Sequence, residues 1–123
     1  MNSLNIILYI FIGGGLGSLS RFGVDKIAQQ LTTTKFPIGT LSSNLLACII
    51  LGLSLYYFKD KIEGNNFIKY FVLIGFCGGF STFSTFSSET VQLIKDGLYL
   101  YGFLNISLSI SLALMVLFSL AKD

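Results

Sequence analysis

The sequence predicts an all-α membrane protein of four transmembrane helices, and three observations carry that reading. Apolar residues make up 53% of the 123-residue chain and charged residues only 11%, against about a quarter charged in an ordinary soluble domain. The apolar residues gather into four runs, 4–21, 38–58, 67–94 and 98–121, each near the roughly 20 residues a helix needs to cross a bilayer core. The connectors between them are short and polar. A chain of this length and composition makes one domain, 1–123, with no soluble module beside it.

Composition also removes several function classes. Histidine is absent, and the two cysteines, Cys48 and Cys77, lie inside apolar runs rather than at metal or redox spacings; they read as small packing residues. A net charge of +2 from scattered basic residues makes no nucleic-acid surface. Residues 1–5 carry no Lys or Arg and no small-residue cleavage pattern follows, so the first apolar run is expected to stay in the mature protein.

The first run contains "GGGLGS", in which Gly13 and Gly17, then Gly14 and Ser18, stand four apart. Small residues at that spacing let helix backbones approach closely in lipid, where van der Waals contact replaces the hydrophobic drive. A nucleotide loop would need a preceding strand and an acidic residue at the required distance after it, and neither is there. Arg21 falls at the end of this run, where its side chain reaches the interface or concentrates anions at a pore mouth. From Arg21 to Phe36 the chain reads as a polar, partly amphipathic connector, and Pro37 opens the second helix, where its missing N–H costs little.

On the second run Thr40, Asn44, Cys48 and Gly52 recur every four residues and share a face. Asn44 is the informative member, because a buried amide in lipid must find hydrogen-bond partners. It either joins a neighbouring helix or faces water or a substrate.

The third run holds "GFCGGFSTFSTFSSE", Gly75 to Glu89. Gly78 and Gly79 weaken the helix, and the hydroxyls of Ser81, Thr82, Ser84 and Thr85 compete for backbone groups, so a break is expected near mid-membrane. Irregular backbone at that depth is tolerated where it is buried in protein or lines a cavity, and broken helices mark ion sites. Freed carbonyls only accept, which makes a small cation their natural ligand. Phe83 and Phe86, three apart, share a face. Their positive ring edges, with Ser, Thr and Asn donors, can meet an anion stripped of water; taken alone, such a pair reads as core packing. Glu89 reads as structural, since a carboxylate repels an anion nearby.

On the fourth run Tyr101, Asn105, Ser109 and Ala113 repeat the four-residue stripe. A membrane serine by itself commonly returns its hydroxyl to the preceding turn. Two such stripes, however, can face one narrow aqueous track.

Basic residues give little instruction on orientation. Lys59, Lys61, Lys69 and Lys122 fall on the side of the N-terminus, and Arg21, Lys26, Lys35 and Lys95 on the other. Because Lys/Arg bias in short loops sets the direction of insertion, a four-to-four count suggests copies inserted both ways. A single residue near one helix end, or the free amino group, deciding the direction is the alternative.

These pieces, "GGGLGSLSRF", "GTLSSN" and "GFCGGFSTFSTFSSE" in that order on a four-span chain, resemble the small bacterial fluoride channels of the CrcB or Fluc family along the whole length. The resemblance implies an antiparallel homodimer of dual-topology subunits in the bacterial inner membrane, with two fluoride pathways and a structural sodium ion at the dimer centre. By position it assigns the sodium ion to the backbone carbonyls of Gly78 and Ser81. The family often has Thr at the second of these; because the main chain coordinates, Ser81 suffices. The fluoride pathway falls on Phe83, Phe86, Asn44 and Ser109, with Thr40, Thr82 and Asn105 beside them, and Arg21 falls in the pore vestibule. Where the family commonly has Tyr, four residues before the serine, this chain has Asn105, which can still donate to an anion.

The function expected on this reading is passive export of fluoride across the cell membrane, with fluoride, sodium, lipid and a second copy of the chain as partners. No enzyme chemistry is expected without a nucleophile, base or metal set. A small proton-coupled multidrug exporter is similar in size and span number but needs an acidic residue in its first span, and 4–19 has none. A non-transporting assembly subunit would use the hydroxyl stripes only as interhelical bonds.

Overall fold

The computed structural model describes residues 2–121, so Lys122 and the outermost ends of the domain 1–123 lie outside the described residues. The elements run α1 (Ser3–Leu31), α2 (Ile38–Phe58), a π-helical segment (Phe67–Cys77), α3 (Gly78–Phe80), α4 (Phe83–Lys95) and α5 (Tyr99–Leu120). Four helical stretches are long and apolar enough to cross a membrane, with Phe67–Lys95 as the third and broken one. The four-helix fold and its interrupted third span are therefore as the sequence predicts.

One boundary differs. Residues 21–31, expected as part of a connector, continue α1 as helix. Only an isolated Gly23 interrupts good helix formers such as Lys26, Ala28, Gln29, Gln30 and Leu31, so there is nothing to stop propagation. The stop comes at Thr32–Thr34. Thr32 is extended, its Oγ1 accepts the Thr34 N–H, and Thr34 Oγ1 accepts the Phe36 N–H. These local bonds offer the backbone an alternative to helix. Arg21 and Lys26 thus stand on a helix rather than in a loop.

The other ends follow their sequence signals. The Asn2 side chain caps α1 through the Asn5 N–H. Pro37 precedes α2, and its carbonyl accepts the Leu41 N–H. Gly97, at φ 79°, ends α4 with the Leu98 N–H returning to the Leu93 carbonyl, a closure that favours glycine.

α1 packs on the π-helical segment and α3, backbone to backbone. A Cβ on Gly13 would overlap the Phe71 carbonyl, one on Gly17 the Phe76 carbonyl, and one on Gly79 the Gly14 carbonyl. Gly13 and Gly17, four apart, thus meet Phe71 and Phe76, five apart, so the π register of the partner sets the spacing of the seam. The wider turn also brings Phe67 and Phe71 nearly over one another, stacked at 4.6 Å with the Tyr9 ring edge-on to both. Of the small residues expected on this face, Ser18 is exposed instead.

Most buried side chains are small or polar, namely Ala47, Cys77, Thr40, Ser43, Ser54, Thr90, Asn105 and Ser109, with Phe80 and Leu93 as the large apolar members of the core. Other large apolar ones such as Phe11, Leu31 and Phe118 point outward. That distribution suits lipid, which gives apolar side chains no reason to turn inward.

Candidate functional site

The break in the third span is built by side chains from three elements. α3 ends at Phe80, and Ser81 and Thr82 are both extended. In a continuous helix the Thr82 N–H would bond the Gly78 carbonyl; here it bonds Asn44 Oδ1 on α2 at 2.8 Å, while Asn44 Nδ2 donates to the Thr82 carbonyl at 3.4 Å. The Thr85 N–H, the helical donor to the Ser81 carbonyl, bonds Thr82 Oγ1 at 3.2 Å and caps α4. Asn44 and Thr82 together therefore deprive the Gly78 and Ser81 carbonyls of their helical donors, and these are the two oxygens to which the family resemblance assigns a cation. The C-terminal end of one helix and the N-terminal start of the next meet here, so partial negative and partial positive charge lie within a few residues.

Arg21 reaches the same place from α1, its Nε–H donating to the Gly79 carbonyl at 3.4 Å. It faces the end of α3 and binds one carbonyl of the break, which a vestibule position alone does not require.

Beside the break a cleft of about 320 Å³ opens between α2, α4 and α5. Asn44, Thr82, Phe83, Phe86 and Ser109 line it, with Cys48, Ser81 and Ala113. The two phenyl rings are 5.9 Å apart and tilted by 41°, and Phe83 is 80% exposed. Most of the residues predicted for an anion pathway are thus brought to one wall. Of the α2 stripe, Asn44 and Cys48 face the cleft, and Gly52 below them gives room to Leu120 of α5.

Two predicted residues lie elsewhere. Asn105 is 1% exposed and sits behind the cleft, its Nδ2 donating to Thr90 Oγ1 at 2.9 Å. Thr90 Oγ1 in turn donates to the Phe86 carbonyl at 2.7 Å, and the Ser109 hydroxyl donates to Asn105 Oδ1 at 3.3 Å. Thr40 lines a second cavity of about 360 Å³ with Asp25, Lys35, Glu89 and Asp96. In that cavity Glu89 Oε1 is buried without a hydrogen-bond partner among the described residues.

Thr90 is the site residue that sequence reasoning passes over. It stands one turn after Phe86, so the four-residue spacing that marks the stripes of α2 and α5 also runs through α4. The π-helical segment has no comparable signal in its residues.

Two comparisons bear on this arrangement. The protein family described as "CrcB-like protein, Camphor Resistance (CrcB)" matches residues 8–120. Among curated proteins, one from Flavobacterium psychrophilum is 38% identical over 91% of this chain and 90% of its own length. One from Phocaeicola vulgatus is 47% identical over 76% of each chain, and one from Nitratiruptor sp. is 39% identical over 95% of this chain and 90% of its own. All three are named fluoride-specific ion channel FluC.

Proposed function

The chain belongs to the CrcB-like family, and on that premise we propose that it is a fluoride-selective channel of the bacterial inner membrane, passing the ion passively down its electrochemical gradient and so lowering cytoplasmic fluoride. The observation that carries this reading is the broken third span. Its break leaves the Gly78 and Ser81 carbonyls without helical donors and sets Asn44, Phe83, Phe86 and Ser109 around one cleft.

Fluoride is small and strongly hydrated, so a selective passage must replace its water with donors spaced for it and remain too narrow for larger halides. Phenyl edges, with the second Nδ2–H of Asn44 and the hydroxyls of Thr82 and Ser109, offer such donors without a full positive charge. That neutrality favours throughput, since a bound ion must also leave. The Gly78 and Ser81 carbonyls are the groups that would hold a structural sodium ion; oxygen acceptors alone suit a hard monovalent cation. In an antiparallel dimer of dual-topology subunits two copies would bring these carbonyls together at the centre, and each cleft, open on one side in the single chain, would be closed by the partner. The wide apolar outer surface of the helices, where Phe83 is among the most exposed residues, supports such a partner or lipid there.

The reading is tested by reconstituting the protein in liposomes loaded with potassium fluoride or potassium chloride and following each anion while a potassium ionophore carries the counter-charge. Fluoride is expected to leave only when the ionophore is present, and chloride to stay. Equal chloride efflux, or fluoride efflux that needs no ionophore, overturns it.

A further inference from the structure

Ser and Thr hydroxyls in these helices have a common habit. Ser20, Ser54, Ser81 and Thr90 each donate to the backbone carbonyl four residues back, at 2.7–2.9 Å. That bond is strong, local and inward, and it removes the hydroxyl proton from any ligand. Ser109, the one serine that projects from α5 into the cleft, does otherwise. Its hydroxyl donates to the Asn105 side chain at the longer distance of 3.3 Å.

The orientation of the Asn105 amide follows from its neighbours. Thr90 uses its only proton on the Phe86 carbonyl, so toward Asn105 it can only accept, and Nδ2 must face it. Oδ1 is thereby turned toward Ser109. We propose that Asn105 is a positioning residue for Ser109: it holds the hydroxyl loosely in a side-chain bond, keeps it off the backbone carbonyl one turn back, and so leaves the proton ready to turn to an ion in the cleft. The inference rests on the fluoride-channel reading and names a role for the residue through which α5 serves the pathway. Thr90 anchors the amide, and through the Phe86 carbonyl it ties this donor to the helix that carries the two phenyl rings.

The test is the concentration dependence of fluoride flux in liposomes, separating half-saturating fluoride from maximum rate. Asn105→Leu keeps the side-chain volume but removes the acceptor, so Ser109 closes onto the backbone. Half-saturating fluoride should then rise roughly five- to tenfold, the worth of one ordinary hydrogen bond. Ser109→Ala should give the same rise, and combining the two should add nothing further. Thr90→Val, which unmoors the amide without touching Asn105, should shift half-saturation in the same direction, and Thr90→Ser should restore it. If Asn105→Leu does not assemble, the Thr90 pair decides. Half-saturation within twofold of the parent in both Asn105→Leu and Thr90→Val, or multiplied effects in the Asn105→Leu, Ser109→Ala double variant, overturns the inference while the channel reading stands. A parent protein that conducts no fluoride overturns both.

Discussion

Asn44 holds both backbone groups of Thr82, and that double bond is what keeps the third span open. Asn44→Ala would leave the part-buried Thr82 N–H without its partner, at a cost of about 1 kcal/mol, the lower end for a buried donor left unpaired. The expected outcome is a lower melting temperature of the detergent-solubilised protein together with lost fluoride flux. Asn44→Asp keeps the acceptor for the Thr82 N–H and loses the donors, so more of the stability should survive while flux still falls; equal stability loss in the two variants would contradict the clamp. Phe86→Ile keeps bulk but removes the positive ring edge, and flux measured beside the parent should drop roughly fivefold, an edge contact being worth about 1 kcal/mol. Sequence made Asn44, Phe86 and Ser109 legible because a polar group or a paired aromatic in lipid asks for an explanation. The fixed direction of the Asn105 amide was hidden, because it depends on Thr90, fifteen residues away in the chain.

The glycine seam between α1 and the π-helical segment positions the break as an element. Gly13 and Gly17 are buried against partner backbone, whereas Gly15 has open space around it. Gly17→Ala should therefore destabilise by about 1–3 kcal/mol through overpacking, seen as a lower melting temperature, and Gly15→Ala should leave it within error. Equal effects at both would mean that helix propensity rather than packing decides. The spacing of small residues was enough to identify the packing face on α1, but not what it meets. A five-residue register in Phe67–Cys77 leaves no period in hydropathy to read, because the segment is apolar almost all round. The end of α1 at Leu31 was missed for a related reason: polar residues that are also good helix formers look like a loop when only hydropathy is weighed.

For the whole molecule, the even split of basic residues between the two sides stands beside a chain whose side-chain interior is small and most of whose large apolar residues face outward, Phe80 and Leu93 being buried exceptions. If insertion is undirected, cysteines placed at Gly64→Cys and Asp96→Cys, in the two exposed connectors on opposite sides, should each react with an impermeant reagent from outside intact cells in about half of the copies. Reaction at one position only would show a single orientation. The four spans, their short connectors and the interrupted third helix could all be read from composition and spacing, since the bilayer imposes length and backbone satisfaction on any chain that crosses it. How the spans gather the cleft residues could not be read so, because that depends on backbone contacts between glycines and carbonyls.

The central claim is that an uncharged cleft beside a broken helix passes fluoride and refuses chloride as a current, without an exchanged ion. Recording single reconstituted molecules in a planar bilayer, with fluoride on one side and chloride on the other, addresses it most directly. The account predicts a steady current carried by fluoride, with a reversal potential far toward the fluoride equilibrium potential and no measurable chloride current. A reversal potential near zero under equal concentrations, or fluoride movement in liposomes with no current at all, would contradict it.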